Sequence, residues 1–269
     1  VNPDVEVETH PYLATGLRTS KFGIPISEAE ELYERIKDSK FLKLVGVNCH
    51  IGSHINEIKP LKDAFSQIVD LADKLTSKGA NIEYLDFGGG IGVSYSGHYK
   101  PLDISSYGEM IREIIDGTSY TVLIEPGKFL VAEAGSLVAE VQYVKENHGK
   151  YFAVIDAGMN DLIRPPLYDG YHKIEILNAK DKRPLKIQDI VGPVCESGCF
   201  MAQAREMAEL RQGDLISICD AGAYGFSMAS NYNSRPRPPE VIITLDNIAK
   251  LVRKREAFED LWKNEEITL

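Results

Sequence analysis

The sequence predicts an α/β half followed by a mostly β half, and three observations carry that expectation. Up to about residue 135, short apolar runs alternate with segments of helical period. Beyond Gly135 the texture changes to short β-rich runs punctuated by glycine and proline. The polar and glycine-rich clusters of the first half all lie just after its apolar runs, where the strands of a (β/α) barrel carry their active-site loops. The expected domains are residues 1–135, part of an α/β barrel, and residues 136–269, a β domain.

Each element follows from a local pattern. Ser27 and Glu30 have the spacing of a capping box, and Ala29, Leu32, Tyr33 and Ile36 then recur on one helical face. Residues 44–47 form a short apolar run that reads as a buried strand. Leu61, Ala64, Phe65, Ile68, Leu71, Ala72 and Leu75 keep helical period until Gly79 stops it. Residues 82–87 and 121–124 read as two more strands, separated by a helix around Tyr107, Ile111, Ile114 and Ile115. This alternation calls for a parallel sheet with right-handed crossovers. In the second half, residues 137–144, 151–155, 172–177, 215–219 and 241–244 read as strands. Phe200, Ala204, Met207 and Ala208 have helical spacing before Gly213, which predicts one helix among them.

Composition narrows the function. Across 269 residues, 30 Lys+Arg stand against 40 Asp+Glu for a net charge of −10, so the clustered basic surface that nucleic acid or an anionic membrane requires is not expected. No apolar stretch reaches membrane-spanning length, and the first residues lack the pattern of a secretory signal. Cys49, Cys195, Cys199 and Cys219 form no C-x-x-C pair and suit reduced thiols, which with the previous point gives a cytoplasmic expectation. His50 and His54 are four apart, but Gly52 and Ser53 between them argue against one helical face, so no metal is expected. Small-molecule chemistry is left.

Three clusters then matter. Cys49-His50-Ile51-Gly52-Ser53 follows the first strand, Gly88-Gly89-Gly90 the second, and Glu125-Pro126-Gly127-Lys128 the third. A glycine triplet lets backbone N–H groups approach an anion, and Ser53 with Lys128 could complete a phosphate cradle. The triplet fails the dinucleotide spacing because position 93 is valine. Taken alone, Arg164 reads equally well as a solvated surface charge and Cys195 as a small buried thiol.

Together with Asp86-Phe87, Asn160-Asp161-Leu162-Ile163-Arg164-Pro165, Leu167-Tyr168, Cys195-Glu196-Ser197-Gly198, Ala223-Tyr224-Gly225 and Tyr232-Asn233-Ser234-Arg235-Pro236, these clusters resemble the pyridoxal-phosphate-dependent decarboxylases with an alanine-racemase-like barrel. The likeness runs over nearly all of the chain and is greatest to the branch acting on diaminopimelate. It implies the later part of a pyridoxal-phosphate-binding (β/α)8 barrel followed by a β domain. The implied activity is decarboxylation of meso-2,6-diaminopimelate to L-lysine and CO2; the alternatives are a sister decarboxylase of arginine or ornithine and a non-catalytic regulatory relative.

The resemblance also implies roles. His50 would stack on the cofactor ring, Gly88, Gly89 and Gly90 would hold its phosphate through backbone donors, and Glu125 would pair with the pyridine nitrogen. Ser53, Gly127, Lys128 and Tyr224 join the cofactor-binding set. Cys195 would return a proton to the α-carbon after CO2 leaves. Arg164 would grip the substrate's far carboxylate and Glu196 its ammonium, with Lys128, Tyr168 and Tyr224 beside them. A homodimer is implied, with Cys195 and Glu196 reaching the site from the partner. Three departures stand out. Lys128 occupies a place where the family has arginine, and Cys199 one where it has aspartate. The Schiff-base lysine of the family lies on an early barrel strand that no segment here matches, so the expectation is that the sequence is the later part of a longer polypeptide and would fold poorly by itself.

Overall fold

The computed structural model describes residues 1–7, 20–95 and 101–266, and the chain divides into two compact units, Val1–Val131 and Ala132–Leu269. The first is built from α1 (Ile26–Ile36), β1 (Gly46–Asn48), α2 (Ile58–Ser77), β2 (Tyr84–Asp86), α3 (Ile104–Ile114), β3 (Thr121–Leu123) and the short α4 (Gly127–Val131). The three strands pair in parallel in the order β1-β2-β3, in the register Val47↔Leu85↔Val122.

Helix α2 anchors this unit. Its face of Leu61, Ala64, Phe65, Ile68, Leu71, Ala72 and Leu75 is buried, as its period requires, and Gly79 ends the turn beyond it at φ +96°. Phe65 stacks on Phe87 from the end of β2, centroids 4.2 Å apart and planes within 6°, with Tyr107 of α3 edge-on to it at 6.3 Å. Asp103 caps α3, its side chain accepting from Ser105 N.

Helix α1 differs from its expectation. It starts at Ile26 after Pro25, no side chain caps it, and Glu30 pairs instead with Lys78 at 2.6 Å. Ala29 and Tyr33 are buried, but Leu32 is 39% exposed, so the inward face is narrower than the spacing implied.

The second unit contains β4 (Leu137–Asn147), β5 (Lys150–Ile155), α5 (Arg164–Tyr168), β6 (Ile174–Ile176), β7 (Leu185–Val191), β8 (Phe200–Ala208), β9 (Leu215–Ile218), β10 (Glu240–Ile243) and β11 (Ala249–Arg253). Six strands form one sheet in the order β6-β9-β4-β5-β7-β8, antiparallel except between β5 and β7, and β10 pairs with β11 in a separate hairpin. Val141, Ile155, Ile190, Met201, Leu210, Ile216 and Ile218 fill its core.

The predicted helix over 200–208 is a strand. Phe200–Ala208 pairs with β7 along its length, burying Met201 and Ala202 while leaving the helical-spacing position Ala204 exposed. Ala204 takes φ +45° at an irregularity in the ladder, where its N–H donates to Asp189 Oδ1 at 2.8 Å. Ladder pairing with a distant strand outweighs a weak local period.

Because Phe65 contacts both a helix and a strand end, Phe65→Ala should cost about 3–5 kcal/mol in urea unfolding, whereas Leu32→Ala should cost less than about 0.5 kcal/mol.

Candidate active site

The strands of the first unit are only three residues each, so the side chains that follow them are held by loop packing. Gly88, Gly89 and Gly90 make that packing close. A Cβ on Gly88 would lie 2.4 Å from the Cys49 carbonyl oxygen, one on Gly89 2.1 Å from that of Glu125, and one on Gly90, whose φ is +93°, 2.2 Å from that of Gly52. The triplet therefore interlocks with the loops after β1 and β3, and Glu125 N donates to Gly88 O at 2.8 Å.

Two of the triplet's N–H groups are already engaged. Gly88 N donates to Asp86 Oδ1 at 2.9 Å and Gly89 N to His50 Nδ1 at 3.1 Å; Gly127 N likewise donates to Glu125 O at 2.8 Å. These bonds help to shape the loops. The bond from Gly89 makes His50 Nδ1 an acceptor, which requires a neutral ring protonated on Nε2. Desolvation is the main cause of a lowered His50 pKa, opposed by the carboxylates of Glu125 and Asp86 and reinforced by Lys128. Lys128 Nζ donates to Ser53 Oγ at 2.8 Å across the loops after β3 and β1. His50, Ser53, Gly88, Gly89, Gly90, Glu125, Gly127 and Lys128 thus gather at one end of the sheet, with a flat ring, a carboxylate and a hydroxyl–ammonium pair.

In the second unit the expected residues lie around the segment that holds α5. Arg164, at the first position of α5, is buried, which removes the surface-charge reading. Tyr168 ends the helix, and the chain turns away through Asp169 at φ +52°. Cys195 and Glu196 sit on the turn between β7 and β8, and Gly198 of that turn lies against both Glu196 Oε1 and Pro166 of α5. Cys195 is exposed, so its reading as a buried packing thiol fails. Cys199 is buried beneath the turn, accepting from Met159 N, so it reaches no exposed surface. Tyr224 is 50% exposed at φ +64°, on a turn whose Gly225 packs near Leu162.

Two further side chains, to which the sequence reading assigns no role, contact the expected residues. Tyr232 donates its hydroxyl to Glu196 Oε2 at 2.8 Å, and this bond is the main cause of its raised pKa. His172 is fully buried, with Nε2 2.8 Å from Arg164 Nη1 and Nδ1 2.8 Å from the Cys219 carbonyl oxygen. Burial pushes its pKa down to about 4. A buried histidine beside a buried arginine was the missing signal, and burial is a tertiary property.

Residues 1–132, the whole of the first unit, match the family model "Pyridoxal-dependent decarboxylase, pyridoxal binding domain". The first unit is thus similar to the pyridoxal-binding domain of the pyridoxal-dependent decarboxylases, whose cofactor is pyridoxal phosphate. The chain as a whole is similar to diaminopimelate decarboxylases: it is 42% identical to that of Aquifex aeolicus over 96% of this chain and 61% of the relative, and 44% identical to that of Pseudomonas aeruginosa over 99% and 63%. The structure of the Helicobacter pylori enzyme complexed with L-lysine superposes with a TM-score of 0.92 at 41% identity, covering 98% of this chain and 65% of that one. The chain thus spans somewhat under two thirds of the length of these relatives. The fold is that of their pyridoxal-phosphate barrel and β domain.

The residues at the ends of β1–β3 suit the cofactor: a ring for its face, a carboxylate for its nitrogen, and Ser53 with Lys128 for its phosphate.

His172 gives a pH prediction. It is neutral in both states above 6.5; as pH falls from 6.5 toward 4, only the unfolded chain takes up the proton, so stability is lost. Wild type should lose up to about 3 kcal/mol more than His172→Gln over that window, read by urea unfolding at each pH.

Proposed function

We propose that the complete protein is a pyridoxal-phosphate-dependent decarboxylase that converts meso-2,6-diaminopimelate to L-lysine and CO2. The observation that carries the reading is the gathering of His50, Glu125 and the Ser53–Lys128 pair at the carboxyl ends of the parallel strands of a pyridoxal-binding domain.

When bound, the cofactor supplies a cationic pyridine ring that accepts the electron pair released as CO2 departs. Glu125 keeps the proton on the pyridine nitrogen, because a carboxylate favours the charged form of its partner. His50, neutral and tied to Gly89, offers its flat face to the ring. Ser53 and Lys128 bind the phosphate, with the ammonium acting as a point charge where the family's arginine would offer a fork. Cys195 donates its thiol proton to the carbon that CO2 has left, so the lost carboxylate is replaced by hydrogen.

The far end of diaminopimelate carries both an ammonium and a carboxylate. Glu196, oriented by Tyr232, accepts from the ammonium, and Arg164 binds the carboxylate, with Tyr168 and Tyr224 alongside. A homodimer with Cys195 and Glu196 reaching across the interface fits their place on the exposed β7–β8 turn. Cytoplasmic residence fits four free cysteines. Among the described residues no helix is long and apolar enough to cross a membrane.

The test is CO2 release from meso-diaminopimelate by the complete protein loaded with pyridoxal phosphate. Cys195→Ala should retain the cofactor's visible absorption while turnover falls by about 10²–10⁴; a near-normal rate would remove Cys195 from the chemistry. Arg164→Ala should raise KM for diaminopimelate by at least about tenfold, the worth of a charge-assisted pair. Wild-type KM in that variant would move the assignment toward substrates without a second carboxylate, arginine or ornithine.

A further inference from the structure

His172 lies outside every assigned step, yet the fold invests heavily in it. A guanidinium only donates and a carbonyl only accepts, so Nε2 must accept from Arg164 while Nδ1–H donates to Cys219 O; the ring is locked in one neutral tautomer. Its backbone is held as well. Arg205 Nη1 donates to the His172 carbonyl at 2.9 Å, and that guanidinium lies 3.8 Å over the ring of Tyr171.

We infer that His172 is a positioning residue for substrate selection: accepting one N–H of Arg164, it fixes the plane of the guanidinium so that the fork meets the substrate's far carboxylate in a single orientation. The inference rests on the reading that Arg164 binds that carboxylate. The choice of residue fits the task. An aspartate behind Arg164 would hold it as firmly but would compete with the incoming carboxylate for the positive charge. A neutral imidazole accepts the hydrogen and leaves the charge in place. Asp220 is within electrostatic reach of Arg164, so the cation is compensated at the level of the fold, and the histidine supplies direction.

Two amides separate orientation from packing. In His172→Gln the longer side chain puts an amide oxygen near the place of Nε2 and can still accept from Arg164, whereas in His172→Asn the shorter one reaches only toward Cys219 O. The complete protein, loaded with pyridoxal phosphate, is assayed for KM and kcat with meso-diaminopimelate and for inhibition by L-lysine and cadaverine. L-lysine keeps the far carboxylate and cadaverine lacks it. His172→Asn should raise KM and the L-lysine inhibition constant by about tenfold, with kcat and the cadaverine constant within about twofold of wild type. His172→Gln should recover most of the loss, and adding His172→Asn to Arg164→Ala should worsen nothing further. If Asn does not fold, His172→Met keeps the bulk with only a weak acceptor and takes its place.

The inference is overturned if Gln and Asn both keep the wild-type preference for L-lysine over cadaverine while Arg164→Ala loses it, an outcome that leaves the substrate reading intact. It is also overturned if the Asn effect persists undiminished on Arg164→Ala, because His172 then acts elsewhere. If Arg164→Ala itself leaves the lysine-to-cadaverine ratio unchanged, the substrate reading fails and the inference goes with it.

Discussion

The first unit depends on backbone meeting backbone at the glycine triplet. Side chains in a barrel rim are normally held by the strands that carry them, but strands of three residues offer little leverage. Here one loop touches the carbonyl groups of the loops on either side at distances that exclude even a methyl group. The flanking loops carry His50, Ser53, Glu125 and Lys128, so the spacing of a ring, a hydroxyl, a carboxylate and an ammonium is set by contacts that have no rotamers to relax.

That packing also decides where the donors go. A phosphate loop in the usual sense leaves successive N–H groups pointing at the ligand. Here Gly88 and Gly89 give theirs to Asp86 and His50, and the loop is stiffened at the expense of its free donors. Lys128 and Ser53 stand beside this loop, joined by a hydrogen bond of 2.8 Å. A lysine suits this arrangement better than its compactness suggests, because the hydroxyl of Ser53 fixes the direction of an otherwise freely rotating ammonium. The neutral state of His50 has the same origin: one backbone hydrogen selects its tautomer and desolvation keeps it.

How much of this could be read beforehand depended on the range of the interaction. The α2 face was legible because seven apolar side chains at helical spacing leave one solution, and the three polar clusters were legible because each follows a strand. The start of α1 was misread because Lys78, distant in sequence, claims Glu30 from the capping box. The 200–208 segment was misread because its period is shared by a strand once Ala204 sits at an irregularity held by Asp189. Strand β7 alternates apolar and polar residues only over Leu185–Gln188 before Asp189 breaks the pattern, which leaves a short local signature. Tyr232 and His172 have partners 36 and 8 positions away, and only burial and proximity reveal what they do.

The second unit holds two arginines whose surroundings differ. Arg183 is met by Asp214 through both ends of its fork, at 2.5 and 3.0 Å, with Asp181 at 3.1 Å on Nε, and its pKa is raised by those bonds. Its charge is spent, and a buried pair of this kind does little beyond fastening the segments that carry it. Arg164 is buried, and its Nη1 donates to a neutral ring. Burying a cation costs free energy that a neutral acceptor does not return in full. Asp220 lies within electrostatic reach of Arg164 and offsets part of that cost, while the histidine supplies direction. The two side chains share a unit and a chemistry and differ in geometry: a carboxylate grips both ends of the Arg183 fork, whereas a locked neutral ring aims Nη1 of Arg164.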